Sequence, residues 1–250
     1  MPKILSVIVP SVDGTDHVSI SDPRIEVVRI AGVTPVGRAR AEGLARATGE
    51  YVAWIDADDE ISDHWAERIL EVSDRDPDVI AFGYEIDGRA FPPTGDLIEA
   101  ILRGASRHMS LWGMAIRRDL WRDIEFDRTA EIMEDWGVLP SLLSRARSFV
   151  MIPDLLYRYQ PTARGTSSKC GLAPEVDRRL TVFGEWFRHS AWSAKFRYRL
   201  AFLEGVARMR CWFRTPSWRR WLLTHLPMLM LTKAKFRQKL KWLVLAGGLG

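Results

Sequence analysis

Three carboxylates stand within four residues at Asp56-Ala57-Asp58-Asp59. They close a short apolar run, residues 50–55, that has strand character. Acids at the C-terminal edge of such a strand lie where open α/β sheets bind their ligands. Neighbouring carboxylates repel one another unless a cation or solvent offsets the charge. Hard oxygen donors on a short loop suit Mg²⁺ or Mn²⁺, which keep several waters and bridge to substrate phosphates. The same tetrapeptide also reads as a polar strand-to-helix turn, with Asp59 or Ser62 as an N-cap. The tetrapeptide alone does not separate the two readings.

The elements that must position this turn are visible around it. Residues 37–49 predict a helix with Ala39, Gly43, Leu44 and Ala47 toward one face and Gly49 just past its end. Helix, glycine, strand and acidic turn form half of an α/β crossover unit. Strands are predicted over 4–9, 25–30, 51–55, 79–84 and 148–152. A hairpin continues over 84–89, and 155–159 is extended. Helices are predicted over 36–47, 63–72, 97–102 and 135–143. Residues 11–23 are polar and turn-rich. From Pro174 onward the pattern is helical and rich in Trp, Arg and Leu, and no internal repeat is present. Alternating strands and helices argue for a three-layer α/β core.

In order and approximate spacing, a series of motifs resembles the family-two glycosyltransferases of the GT-A fold. The carrying residues are Leu5-Ser-Val-Ile-Val-Pro10, Ala39-Arg40-Ala-Glu-Gly43-Leu44, and Gly49-Glu50 through Asp56-Ala57-Asp58-Asp59. Leu111-Trp112-Gly113, Arg117-Arg118, Glu134-Asp135-Trp136 and Leu156-Tyr157-Arg158-Tyr159 follow. The resemblance spans roughly residues 4–168. It implies a mixed, Rossmann-like sheet flanked by helices, with residues 111–116 running as a strand into the acceptor side.

The resemblance also implies roles. Asp56 would approach the ribose of a nucleotide, and Asp58 would ligate a divalent metal bridging the two phosphates, with Asp56 beside it. Asp59 would cap the next helix or support the metal ligands. Arg40 matches an arginine near the nucleotide. Ala41 replaces the asparagine that usually follows, and Arg38 is placed to make up the lost phosphate contacts. A solvated helix face is the other reading of both arginines. Glu134-Asp135 matches a catalytic acidic pair. An inverting transfer needs one carboxylate to take the acceptor's proton, and Asp135 is the first choice, Glu134 the second. By residue type alone, the pair equally suits the first turn of a helix. Trp112 and Gly113 would line the acceptor pocket, Trp112 offering a flat face to a sugar and Gly113 a close backbone approach. Core packing is the alternative for Trp112. Arg164, in the loop after Tyr157 and Tyr159, would meet the diphosphate.

One departure from the family is large. Family members place a helix and a further strand between the strands matching 4–9 and 25–30, and a complete βαβ unit needs about 30 residues. The space here is too short. Either the sheet lacks one strand, or residues 4–9 with the turn 12–16 replace it. In the second case Asp13 and Asp16 become contacts for the base or ribose; otherwise they belong to a solvated turn.

Charge divides the chain. Residues 175–250 hold 16 Lys and Arg against 4 Asp and Glu, a balance of +12, whereas residues 1–174 hold 20 against 28, a balance of −8. The acidic front carries the candidate site. The basic rear, with Trp186, Trp192, Trp212, Trp218, Trp221 and Trp242 among its cations, suits an anionic membrane surface. A helical cap with a solvated basic face is the alternative. Residues 221–232 are the most apolar stretch and fall short of the ~20 needed to span a bilayer. Nucleic acid binding would need a recognisable module, and none is present. Cys170 and Cys211 make no disulfide framework, and a reducing compartment fits. The apolar run at 4–9 is too short for a signal peptide.

The sequence therefore predicts a GT-A-like domain over 1–172, shortened near its N-terminus, and a helical basic region over 173–250. The expected activity is metal-dependent, inverting transfer from a nucleotide-sugar, of the UDP-sugar class, to a saccharide or lipid-linked acceptor in cell-surface polysaccharide assembly. The expected place is the inner face of the cytoplasmic membrane. A catalytically weak relative that binds a glycan or partner enzyme, and a carboxylate-metal phosphohydrolase, are the alternatives.

Overall fold

The computed structural model describes residues 3–86, 88–91, 110–131, 134–160, 223, 226–231 and 239. The chain divides into two compact units, residues 1–97 with 110–162, and residues 98–109 with 163–250. The helix expected at 97–102, Arg164 and nearly all of the basic region lie outside the described residues.

The first unit runs β1 (Leu5–Ser11), β2 (Ile25–Ala31), α1 (Val36–Arg46), β3 (Tyr51–Trp54), β4 (Glu60–Ile61), α2 (Trp65–Ser73), β5 (Val79–Ile86), β6 (Arg89–Phe91), β7 (Met114–Arg117), α3 (Glu134–Arg145) and β8 (Phe149–Tyr159). The strands form one sheet in the order β2-β1-β3-β7-β5-β8-β4, with β6 paired to β5. β1 is parallel to β2 and β3, β7 is antiparallel to β3 and β5, and β8 is parallel to β5 and antiparallel to β4. This is the mixed α/β sheet that the sequence predicts. Every residue of β3 is buried, as a strand covered on both faces requires. β2 mixes buried and exposed positions, as an edge strand does. Helix α1 lies so close to β1 that a Cβ at Gly43 would collide with the Ile8 side chain. This explains the glycine in a helix interior, where it otherwise weakens the helix.

Among the described residues, neither helix nor strand separates β1 from β2. β2 pairs directly with β1, from Leu5 opposite Ile25 to Ser11 opposite Ala31, and forms the edge. The sheet thus has one strand fewer at this edge than the resemblance implies. Parallel neighbours usually need a helical crossover. Here a polar loop makes the connection, tied down by side chains. Asp16 pairs with Arg29 at 2.8 Å, and Lys3 Nζ donates to the carbonyl of Pro23 at 2.7 Å.

Three local expectations need correction. Residues 111–113 form a 3₁₀ turn rather than the start of a strand, because Trp112 packs inward against Tyr84 and Tyr157. The extended segments 148–152 and 155–159 join into the single strand β8, with a register irregularity against β5 around Gly83. β4, only two residues long, carries too little pattern to be predicted and exists because β8 pairs with it.

Candidate active site

Helix α1 brings Arg40 to the C-terminal end of β3. Its first turn is anchored where Gly37 N–H donates to the carbonyl of Ala130 at 3.0 Å. Arg40 is only 4% exposed. Its Nε donates to Glu134 Oε1 at 2.6 Å and its Nη2 to Asp56 Oδ1 at 2.9 Å. The guanidinium carbon stands 5.3 Å from the centroid of the Trp54 ring, within cation–π range. The third nitrogen, Nη1, is buried and meets no hydrogen-bond partner among the described residues. Burial alone would make Arg40 easier to deprotonate. The carboxylates of Asp56, Glu134 and Asp135 outweigh it and hold the guanidinium well above its ordinary pKa. One fixed cation therefore joins the acidic turn to the acidic pair that opens α3.

The acidic turn is closed by Asp59 N–H donating to the carbonyl of Asp56 at 3.0 Å. Asp58 is exposed at its tip and Asp56 half-buried at its base. Asp59 points the other way and is 2% exposed. Its Oδ2 accepts from the Tyr157 hydroxyl at 2.5 Å and its Oδ1 from Gln160 N–H at 2.7 Å. Burial, reinforced by the charge of Asp56, pushes the Asp59 carboxyl up to about 7. The Tyr157 hydroxyl also accepts from Asp56 N–H at 3.2 Å. Helix α2 begins with His64 as its N-cap and has no side-chain cap bond, so neither Asp59 nor Ser62 caps it.

Tyr157 continues the connection. Its ring stacks on Trp112 with centroids 4.8 Å apart and planes 14° from parallel, and Tyr159 stacks there at 5.8 Å. The period-2 alternation of a strand puts Tyr157 and Tyr159 on one face. Trp112 is 8% exposed. A Cβ at Gly113 would meet only Tyr84 Cδ1, at 4.0 Å, so packing within the protein does not demand glycine there.

Contacts thus run unbroken from Glu134 through Arg40, Asp56 and Tyr157 to Trp112. Asp135, on the same helical turn as Glu134, lies near enough for its charge to act on Arg40. No described contact joins Asp13 to this group. Its Oδ1 accepts from Thr15 N–H at 3.0 Å and Thr15 Oγ1 at 2.6 Å, and these bonds hold its carboxyl below the usual range. Arg38 pairs with Glu42 on the surface of α1 at 2.9 Å. Arg164 lies outside the described residues. Two features escaped the sequence reading: Asp59 works as a buried partner of Tyr157, and Trp54 lies beneath Arg40. The shared face of Tyr157 and Tyr159 was the available signal for the first; the second has no local signal.

The donor set fits a divalent cation of the hard-oxygen class. Asp56 and Asp58 on the acidic turn and Glu134 and Asp135 at the start of α3 supply carboxylate oxygens, the donor type that hard divalent cations take. Among the described residues, no three His, Cys, Asp or Glu side chains form a self-sufficient metal cage.

Residues 11–119 match the family model described as glycosyl transferase family 2. A search of curated protein sequences found no match. The fold is similar to that of S. aureus TarS 1–349, with a TM-score of 0.68 and 16% identity over 98% of this chain and 91% of that one. The same TarS segment in complex with UDP-GlcNAc gives a TM-score of 0.67 at 15% identity, with the same shares of the two chains. Its complex with UDP gives 0.66 at 14%, again over 98% and 91%. The family match across the acidic turn, set in a mixed sheet of this topology, makes residues 11–119 similar to a family-two glycosyltransferase domain, and the fold is that of the GT-A class.

Proposed function

We propose that this protein is a metal-dependent, inverting glycosyltransferase that moves a sugar from a UDP-sugar to a saccharide or lipid-linked acceptor. The observation that carries the reading is Arg40, which places the acidic turn and the acidic pair on opposite sides of one buried guanidinium. Fold neighbours crystallised with UDP-GlcNAc and UDP support the UDP-sugar class.

Asp58 and Asp56 would hold Mn²⁺ or Mg²⁺, which supplies neutralisation of the leaving diphosphate. Asp56, bonded to Arg40, is fixed at the ribose side. Glu134 is bonded to the same arginine, and Asp135, beside it on the first turn of α3, is the group assigned to receive a proton. As the acceptor hydroxyl oxygen bonds to the anomeric carbon, its proton passes to Asp135 and the bond to the nucleoside diphosphate breaks, inverting the centre. Trp112 and Gly113 would belong to the acceptor side; Arg164, the residue expected to meet the diphosphate, lies outside the described residues.

Domain 1–172 carries this chemistry, and the basic region 173–250 holds the protein to anionic lipid at the inner face of the cytoplasmic membrane, in cell-surface polysaccharide assembly. Among the described residues no helix is long and apolar enough to cross a membrane, and Leu223 and Leu231 are exposed. Cosedimentation with anionic but not neutral vesicles at low salt is expected; equal failure on both removes the membrane assignment.

The test of the activity is UDP binding in Mn²⁺ together with product release from UDP-sugars. Asp58→Asn is expected to abolish metal-dependent UDP binding while leaving the fold intact. Unchanged affinity in that variant removes the metal assignment. The direct pairing of β2 on β1 favours a second reading, a binding protein with little turnover; bound donor without turnover would establish it.

A further inference from the structure

A surface turn that merely offers carboxylates to a cation needs no buried partner for its last acid. Asp59 has two. Burying a carboxylate is unfavourable unless hydrogen bonds replace water, and here Tyr157 Oη and Gln160 N–H do so. The Tyr157 hydroxyl in turn receives the Asp56 amide. Backbone pairing surrounds these bonds: Ile61 stands opposite Tyr157, and Ser62 N–H donates to the carbonyl of Leu156 at 3.0 Å. The ring of Tyr157 lies against Trp112. A single phenol therefore touches the backbone of the acidic turn with its oxygen and the proposed acceptor-side indole with its ring.

We propose that Tyr157, oriented by Asp59, is a positioning residue that sets the backbone of the acidic turn and couples its conformation to Trp112. The proposal rests on the glycosyltransferase reading. Asp59 fixes the hydroxyl rotor of Tyr157 so that its lone pair faces Asp56 N–H. Asp56 is then presented to Arg40, and Asp58 is held at the turn tip. A displaced Trp112 would shift the phenol, and the phenol would shift the turn, so acceptor-side packing reaches donor affinity without touching the donor.

Tyr157→Phe keeps the stacked ring and deletes only the oxygen. UDP binding by the full chain, titrated with Mn²⁺, is expected to weaken about fivefold, the scale of one hydrogen bond. The Mn²⁺ concentration needed for half-maximal binding should rise with it. Amide exchange is expected to quicken over residues 56–60 and stay unchanged in β1 and β3. Asp59→Asn should move both readouts in the same direction, and it serves as the second variant if Tyr157→Phe does not fold. Unchanged UDP affinity in either folded variant overturns the proposal, whatever the exchange shows. Faster exchange across β1 and β3 as well overturns it in favour of a purely structural role. Absence of UDP binding by the unaltered protein would remove the glycosyltransferase reading and this proposal together. Binding by the unaltered protein with indifferent variants would remove this proposal alone.

Discussion

Two arginines sit over aromatic rings at opposite ends of β3, and among the described residues they find different numbers of partners. At the N-terminal end, Arg117 stands 5.2 Å from the Tyr51 ring. It donates to Glu50 at 3.0 Å, to the Tyr51 hydroxyl at 3.0 Å and to Asp76, and lies 3.6 Å from Asp78. At the C-terminal end, Arg40 holds Asp56 and Glu134, and its Nη1 meets no partner among the described residues. The Arg117 side chain is 17% exposed and that of Arg40 5%. The Arg117 cluster is a clamp that fastens β7 to the start of β3. The other cluster, with a buried donor that no described residue meets, lies at the sheet edge where α/β folds bind ligands.

The largest effect should come from the acidic end. Asp135→Asn is expected to keep UDP binding and to lower transfer by about 10²–10⁴-fold, the usual contribution of a general base. Transfer within a few-fold of the parent would move the base to Glu134 and weaken the contrast drawn here. Next in size is the contrast itself. Arg40→Met leaves the buried Glu134 and the half-buried Asp56 without their shared cation and should cost about 3 kcal/mol in urea unfolding. Arg117→Met, whose partners Glu50 and Asp76 are largely in solvent, should cost only about 1 kcal/mol. Equal losses would show that the two clusters are energetically alike.

The smallest expected effect is in the pH dependence, where the two ends should have opposite signs. Asp59 is pushed up to about 7 from 3.8 by burial and by Asp56. Folded protein keeps a proton there that the unfolded chain releases, so this contribution is full below about pH 4 and lost as pH rises to about 7. Asp78 is opposed by burial, but the amides of Arg147 and Ser148, the Ser148 hydroxyl and Arg117 hold it below 3.8. Its contribution is present above pH 3.8 and lost as pH falls through its lower folded value. Urea midpoints in EDTA should show Asp59→Asn flattening the pH 4–7 slope and Asp78→Asn flattening the acid limb. A common effect of both variants on one limb would break the assignment.

Local pattern determined much of this protein. Continuous apolar runs made β1 and β3, a 3.6-residue period with Gly43 on the packed face made α1, and acids following β3 made a turn at the ligand edge. These depend on neighbours within a few residues, which a sequence displays directly. The motif series also carried the resemblance to the family, because its motifs keep their order along the chain. Tertiary structure alone decided which partners those residues meet. Glu134 lies 94 residues from Arg40, and Tyr157 lies 98 from Asp59. A charged residue on an amphipathic helix looks the same in sequence whether water or a buried carboxylate awaits it. The strand after β1 was equally undecided, because a polar loop too short for a helix can seat β2 beside β1 only when the two edges find each other in register. Long-range pairing is set by which buried groups remain to be satisfied once the sheet closes.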